Sequence, residues 1–320
     1  MKPSKASVFL AALALSFSSS AQQWPARPMT MLIGYPMGGG PDTVARFLAE
    51  GLRDRFGQPV VVETKVGAVG NIAGQAAARA APDGYTLLFT ANSTHAANPH
   101  LFKSMPFDPV KDFTPVTTIA SSGFILVVDP ATVPANSVAE LTEYLKVRPG
   151  KLFYASSNAT GRIAMEMYQS LAGVSVVHIP YKATPNAAAD LIAGRVQLMF
   201  IDVTSSLGQI RAGKLRALAV STRSRISSTP QIPTMAEAGL AGYEISSWFA
   251  LFLPANAPRD IVQKLADASN AIMASDKARE LLSKFGTEPF PGTPESLAKF
   301  VDSEIAKWGR LIKAAGIEPE

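Results

Sequence analysis

No cysteine occurs in the 320 residues, so a disulfide and a thiolate metal site are both excluded and stability has to come from burial. Histidine is scarce: His95, His100 and His178 are the only three, none arranged as the i, i+4 pair of an HExxH zinc site. A Gly-x-Ser-x-Gly elbow is missing, so a nucleophilic triad has no recognisable nucleophile. No pair of carboxylates stands out for acid/base work. Catalysis, a metal and a cofactor are therefore not expected, and His178, in an apolar strand, is expected to be a satisfied core residue. Runs of Lys and Arg are also lacking, which argues against a nucleic-acid partner.

What is present begins with Lys2 and Lys5, an apolar run from Ala6 to Phe17, and the small residues Ser19, Ser20 and Ala21. Basic, apolar and small segments in that order predict a signal peptide (residues 1–21), cut near Ala21. The run is too short to span a membrane, and no later stretch offers about 18 uninterrupted apolar residues. An exported protein of a bacterial periplasm is the expectation. Removing Lys2 and Lys5 lowers the formal charge from +5 to +3, a modest balance.

With 47% hydrophobic residues, the chain exceeds the size at which one core usually suffices, so two domains are expected. Short β-branched runs (Met29 to Tyr35, Val60 to Glu63, Tyr85 to Thr90, Phe124 to Val128, Leu152 to Ala155, Val176 to Ile179, Val196 to Ile201, Leu215 to Val220) alternate with helix-like segments. That alternation predicts an α/β fold with parallel sheets covered by helices. From about Arg259 the pattern reads as helix only. The last segment puts Leu297, Phe300, Val301, Ile305, Trp308, Leu311 and Ile312 on one face, a core stripe. "FTPVTTIASSGFILVVD" and "GYEISSWFALFLPA" read as two passages between domains, and two crossings make a hinge.

Chemistry concentrates where strands give way to helices. In "GYPMGGGPDTVAR", residues 34–46, glycines bare the backbone N–H groups at the positive end of a helix, a ready anion site. The loop lacks the Gly-Lys-Ser/Thr of a P-loop, and Thr43 stands where the last Gly of GxGxxG belongs, so nucleotides are disfavoured. It is either a tight turn with Asp42 as N-cap or a turn that also touches ligand. "YASSNATGR" sets Ser156, Ser157, Asn158 and Thr160 at a helix start, more donors than capping requires. "YKATPN" and "TANSTH" repeat the arrangement.

Taken in order, "WPARPMTMLIGYPMGGGPDTVAR", "APDGYTLLFTANSTHAANPHLF", "FDPVKDFTPV", "GKLFYASSNATG", "HIPYKATPNAAADLIAGRVQLMF", "GKLRALAVST" and "PTMAEAGLAGYEISSWFALFLPA" resemble the Bug-type solute receptors of tripartite tricarboxylate transporters. The resemblance covers nearly the whole chain after residue 21. It implies a two-lobed periplasmic binding protein of type II topology, a Venus flytrap with mixed, mostly parallel sheets and a helical C-terminal segment. Lobe 1 would be residues 22–123 plus 248–320 and lobe 2 residues 124–247, with the ligand cleft between them. The partners implied are a small carboxylate, aromatic or di/tricarboxylate, and the membrane transporter subunits, with the receptor itself a monomer.

The same resemblance implies that backbone N–H groups and hydroxyls hold the carboxylate: Pro36, Gly38, Gly39 and Asp42; Asn92 and Ser93; Ser156, Ser157, Asn158 and Thr160; Tyr181, Lys182, Ala183, Thr184 and Asp202. Tyr35 and Met37, departures from the family's usual loop, would line or flank the pocket and, with Phe249, suit a flat aromatic acid. Val69 and Ala73 replace glycines of the family's "GAGGNIG" and would narrow or stiffen that loop. No arginine is required. Lys182 is expected to be structural or peripheral, whereas Asp202 either accepts from a ligand or caps "VTSS". An exported hydrolase or isomerase on the same fold, or a sensor for a membrane signalling partner, is the alternative.

Overall fold

The computed structural model describes residues 24–181 and 183–319, so the signal-peptide reading of residues 1–21 and the reading of Lys182 lie outside the described residues. The chain first lays down β1 (Met29–Ile33), α1 (Gly40–Phe56), β2 (Val60–Thr64), α2 (Asn71–Ala78), β3 (Thr86–Ala91), α3 (Asn98–Leu101) and β4 (Phe113–Ser122). It continues through β5 (Phe124–Val128), α4 (Val138–Lys146), β6 (Phe153–Ser156), α5 (Ala159–Ala172), β7 (Val177–Pro180), α6 (Thr184–Ile192), β8 (Leu198–Asp202), α7 (Val203–Arg211) and β9 (Arg216–Val220). It ends with β10 (Ser247–Pro254), α8 (Arg259–Met273), α9 (Asp276–Ser283), β11 (Thr287–Pro289) and α10 (Pro294–Ala314).

Two sheets result, in the orders β11-β4-β10-β3-β1-β2 and β7-β6-β8-β5-β9. Parallel pairs join β1 to β2 and β3, and β6 to β7 and β8. In the first sheet β10 runs against β3 and β4, and β4 against β10 and β11; in the second β5 runs against β8 and β9. The sheets are mixed, as expected, but not mostly parallel: five of the nine strand pairings among the described residues are antiparallel, because β4, β5 and β10 carry the chain between the sheets. The tail is not helix only: β11 adds a three-residue strand to the edge of β4, because the Thr-Glu-Pro after α9 meets an edge with free hydrogen-bonding groups.

Burial explains the elements. Met29, Met31, Leu32 and Ile33 of β1 are all buried, the run expected of a strand covered on both faces. Edge strand β2 alternates exposed and half-buried residues instead. Helix α1 begins behind Pro41 and stops at Gly57, whose φ of 70° is the left-handed cap conformation. In α10 the expected stripe is buried at Leu297, Val301, Trp308 and Ile312. Glu304 lies inside that stripe because it accepts from the indoles of Trp248 at 2.9 Å and Trp308 at 3.2 Å and pairs with Lys307.

The two passages run side by side. Strand β4 leads through Gly123 into β5 and the second sheet, and β10 brings the chain back, pairing Ser247 with Ser122. A side chain at Gly123 would come within 2.5 Å of Thr222 Cγ2, so the connection needs glycine there. All strand-to-helix loops that position the candidate site hang from this pair of sheets.

Candidate ligand cleft

The loop after β1 is occupied by its own acid. Gly38 takes φ 81°, open to glycine at little cost, and Gly39, not Asp42, is the N-cap residue of α1. Asp42 lies inside the first turn, and its carboxylate reaches back to accept the Gly38 N–H at 2.9 Å while pairing with Arg46 at 2.9 Å. Burial pushes this carboxyl up, but the bonds from Arg46 and Gly38 outweigh it and hold the group below its ordinary value. The expectation of Asp42 as N-cap is thus corrected: three glycines in a row leave the backbone free to fold over an acid one turn on. Tyr35 is edge-on to Phe249 at 6.3 Å, its buried hydroxyl beside Ser93 and Thr94 and pushed up to about 12 by burial. Pro36 and Met37 are exposed.

Two further loops lock against the first. A Cβ on Gly34 would stand 2.7 Å from Gly70 Cα, and one on Gly70 would collide with the Thr94 hydroxyl, so two backbones meet directly and the Thr94 side chain packs against them. Asn98, fully buried, donates to the Val69 carbonyl at 3.0 Å and to the Asn71 side chain at 2.7 Å. Ala68 and Val69 both sit at positive φ, 44° and 51°, a costly conformation for a β-branched residue, and the Val69 side chain remains exposed. Asn92 is buried and Ser93 half-buried at the start of the π-helical turn Ser93–Ala97. Behind them His95 is stacked on Phe252 at 4.0 Å. Burial pulls its pKa down to about 3.

The loops of the second sheet are built from hydroxyls. Ser156 Oγ lies 2.7 Å from His178 Nε2, and Ser157 Oγ lies 2.8 Å from Thr184 Oγ1. Asn158 caps α5 by accepting from the Gly161 N–H at 2.8 Å; Thr160 follows, half-buried, in the first turn. The Tyr181 hydroxyl donates to Asp190 at 2.8 Å, and its N–H to the Ser156 carbonyl at 2.8 Å. Exposed Ala183 is the N-cap position of α6. Asp202 caps α7, accepting from the Ser205 N–H at 2.9 Å, which is one of its two expected roles. His178 departs from expectation: it is half-buried on edge strand β7, stacked on Tyr154 at 4.9 Å and bonded to Ser156. An edge strand leaves one flank of the ring uncovered, which apolar neighbours in sequence do not reveal.

Loops of both sheets enclose one concavity of ≈ 370 Å³. The second sheet contributes Ser156, Ser157, Asn158, Pro180 and Tyr181; the first sheet's layer contributes Val69, Leu101 and Phe102, and the chain after α10 contributes Ile317. Arg162 and Glu318 complete the lining. Of the residues expected from sequence, four line it directly and Thr184 backs Ser157, while Tyr35, Pro36, Met37, Gly38, Gly39, Asp42, Asn92, Ser93, Thr160, Ala183 and Asp202 stand outside the lining. Arg162 was missed. The available signal was a basic residue one helical turn beyond a hydroxyl-rich helix start. A second concavity, ≈ 290 Å³, lies where the crossings meet, beside Ser121, Gly123 and Ser246. Its rim charges are used internally, Arg225 by Glu237 at 2.8 Å and Glu288 by the Ser227 N–H at 2.9 Å.

The tripartite tricarboxylate transporter family receptor, TctC, matches residues 44–317. The chain is 34% identical over 313 residues to protein BugT of Bordetella pertussis, covering 97% of this chain and 95% of that one. Among solved structures it is similar to R. palustris Rpa4515 with adipate, at 37% identity and TM-score 0.74, covering 93% of this chain and 100% of that one. It is also similar to MatC from Rhodopseudomonas palustris with bound malate, at 29% identity and TM-score 0.68, covering 90% and 100%.

Proposed function

The chain belongs to the tripartite tricarboxylate transporter receptor family, and from that premise we propose that it captures a small carboxylate in the cleft between its two sheets and delivers it to a tripartite membrane transporter. The observation that carries the reading is that loops hanging from different sheets line one concavity, Val69 and Phe102 on one side, Ser156 to Asn158 and Tyr181 on the other. Two similar structures hold adipate and malate, both carboxylates, and an ionised acid is what hydroxyls and free helix N–H groups recognise.

Residues 22–123 with 248–320 form one lobe in this reading and 124–247 the other, joined by the paired crossings β4 and β10. A ligand bridging the lobes binds the closed arrangement better and shifts the hinge equilibrium toward it. Hydrogen bonds to a charged group contribute roughly 1.5 to 3 kcal/mol each, so a few of them offset the cost of closing. The Ser156–His178 bond is the nearest approach to a nucleophile and base. No carboxylate among the described residues orients the ring through Nδ1, so the reading is binding without turnover. The receptor works as an exported monomer; among the described residues no helix is long and apolar enough to cross a membrane.

Thermal-shift and calorimetric titration of ligand-stripped protein against adipate, malate, citrate and benzoate tests the reading. One reproducible, saturable shift, with the acid recovered unchanged, is expected. Conversion of the acid, or no binding by any of a broad carboxylate panel, overturns it.

A further inference from the structure

A serine hydroxyl has one proton to give. Ser156 ends β6 on the border of the cleft, and its Oγ lies 2.7 Å from His178 Nε2. The bond follows from register. Parallel pairing sets Tyr154 opposite His178, Ser156 stands two residues further on the same face of the sheet, and the ring stacked on Tyr154 at 4.9 Å comes within reach of that hydroxyl. The Tyr181 N–H donates to the Ser156 carbonyl at 2.8 Å and pins the backbone beside it. A neutral imidazole that accepts at Nε2 takes the Ser156 proton, whereas a ring carrying hydrogen at Nε2 donates and leaves the Ser156 O–H free.

The next hydroxyl pair along differs. Ser157 and Thr184 lie 2.8 Å apart and either one can donate, so that pair adapts to an incoming acid by turning its hydroxyls. At Ser156 the partner titrates. Edge strand β7 pairs with β6 alone, and the titratable groups around the ring are Tyr154 of β6 with Arg162 and Glu166 of α5; Glu318 is the carboxylate of the cleft lining. Burial first, then Arg162, pull the ring's pKa below its ordinary value against the opposing Glu166. Glu166 is itself taken by the Tyr154 hydroxyl at 2.6 Å and the Gln169 amide at 3.1 Å. Without ligand the ring is therefore mostly neutral at about pH 7.

We propose that His178 is a positioning residue for ligand: when an anionic group accepts from Ser156 Oγ, His178 donates through Nε2 to that same oxygen, so capture of the acid is linked to uptake of a proton by the ring. This rests on the carboxylate-receptor reading above and concerns a single acidic group, whatever the rest of the ligand. The Nε2 hydrogen can come from a change of tautomer or from an added proton. A negative charge one hydroxyl away favours the added proton, because imidazolium is the stronger donor and attracts the anion. The liganded ring then binds more protons than the free one, so affinity rises as pH falls.

The test titrates ligand-stripped wild type, His178→Gln, Ser156→Ala and Ser157→Ala with acetate, lactate, malate and benzoate, all essentially ionised between about pH 6 and pH 8. Calorimetry in two buffers of different ionisation heat reads affinity and proton uptake together. For each acid that binds, wild-type affinity is expected to rise about threefold or more from about pH 8 to about pH 6, with protons taken up. His178→Gln, whose amide donates without titrating, should bind with nearly constant affinity across that range, and Ser156→Ala should bind more weakly and without the slope. Ser157→Ala should lose affinity by the same factor at every pH. A wild type whose affinity ignores pH, or a slope that survives in His178→Gln, overturns the proposal. So does a His178→Gln variant that only loses melting temperature and affinity with its slope intact, the mark of a structural ring. No binding of these four acids also overturns it, while only failure across a broad carboxylate panel sinks the receptor reading itself.

Discussion

The loops of the first sheet and those of the second begin from the same sequence device, a strand running into a helix through small and polar residues, and end in opposite states. In the first, the glycine-rich loop folds over its own Asp42, and Asn98 ties Val69 and Asn71 together in the interior. In the second, Ser156, Ser157 and Asn158 border an open concavity, and Arg162 beside them donates to the Ala315 carbonyl. A glycine loop at a helix start is therefore not by itself a vacant anion site, since a carboxylate within the first turn can fill it. The difference teaches that the first set of loops is interlocked through its own side chains, while the second leaves hydroxyls on the border of a concavity.

The largest expected effect breaks that interlock. Asn98→Ala leaves the Val69 carbonyl and the Asn71 side chain short of a buried donor, and a loss of about 3 kcal/mol is expected in urea denaturation. Ligand affinity, measured on the remaining folded protein, should fall as Val69 loses its anchor. Unchanged stability would show that the first-sheet loops are not interlocked.

His95 sets the acid limit of the same loops. Its folded pKa of about 3 lies below the ordinary 6.5, so below pH 6.5 the unfolded chain binds a proton that the native protein refuses. Stability is therefore expected to fall as pH drops from about 6.5 toward 3, the sign required when the unfolded state holds more protons. His95→Phe should flatten that part of the curve, read as the urea midpoint against pH; an unaltered slope would mean that other groups govern it.

On the second sheet the balance reverses. Ser157→Ala removes a hydroxyl that lines the cleft and meets Thr184, so carboxylate affinity should weaken by about 1 to 2 kcal/mol with little change in melting temperature. Equal affinity by calorimetry would remove that loop from the site. The smallest effect is Val69→Gly. Relief of the positive φ slightly exceeds the greater freedom that glycine gives the unfolded chain, and stabilisation of no more than about 1 kcal/mol is expected. A net loss would show that the Val69 side chain contributes packing beyond its exposed surface.

Part of the concavity's lining was legible in residues 154–162, because more serines, Asn and Thr stand at that helix start than its cap requires and the start itself follows from local hydrogen bonding. Arg162 could not, since an isolated basic residue on an amphipathic helix is ordinarily solvated, and only its position under the end of α10 shields it. His178 was misjudged for the related reason that β7 proved to be an edge strand.

The sequence by itself determined the alternation of strands and helices, the two crossings, the hydroxyl-rich helix starts and the family's motif order, because these depend on periodic burial and on chemistry within a few residues. Tertiary structure alone decided that β5 and β10 run against their neighbours, that Asp42 turns back onto Gly38, and that Val69, Arg162 and Ile317 border one space. Those outcomes depend on which distant segments approach each other, where burial of charge and the meeting of bare backbones are settled by packing of the whole chain.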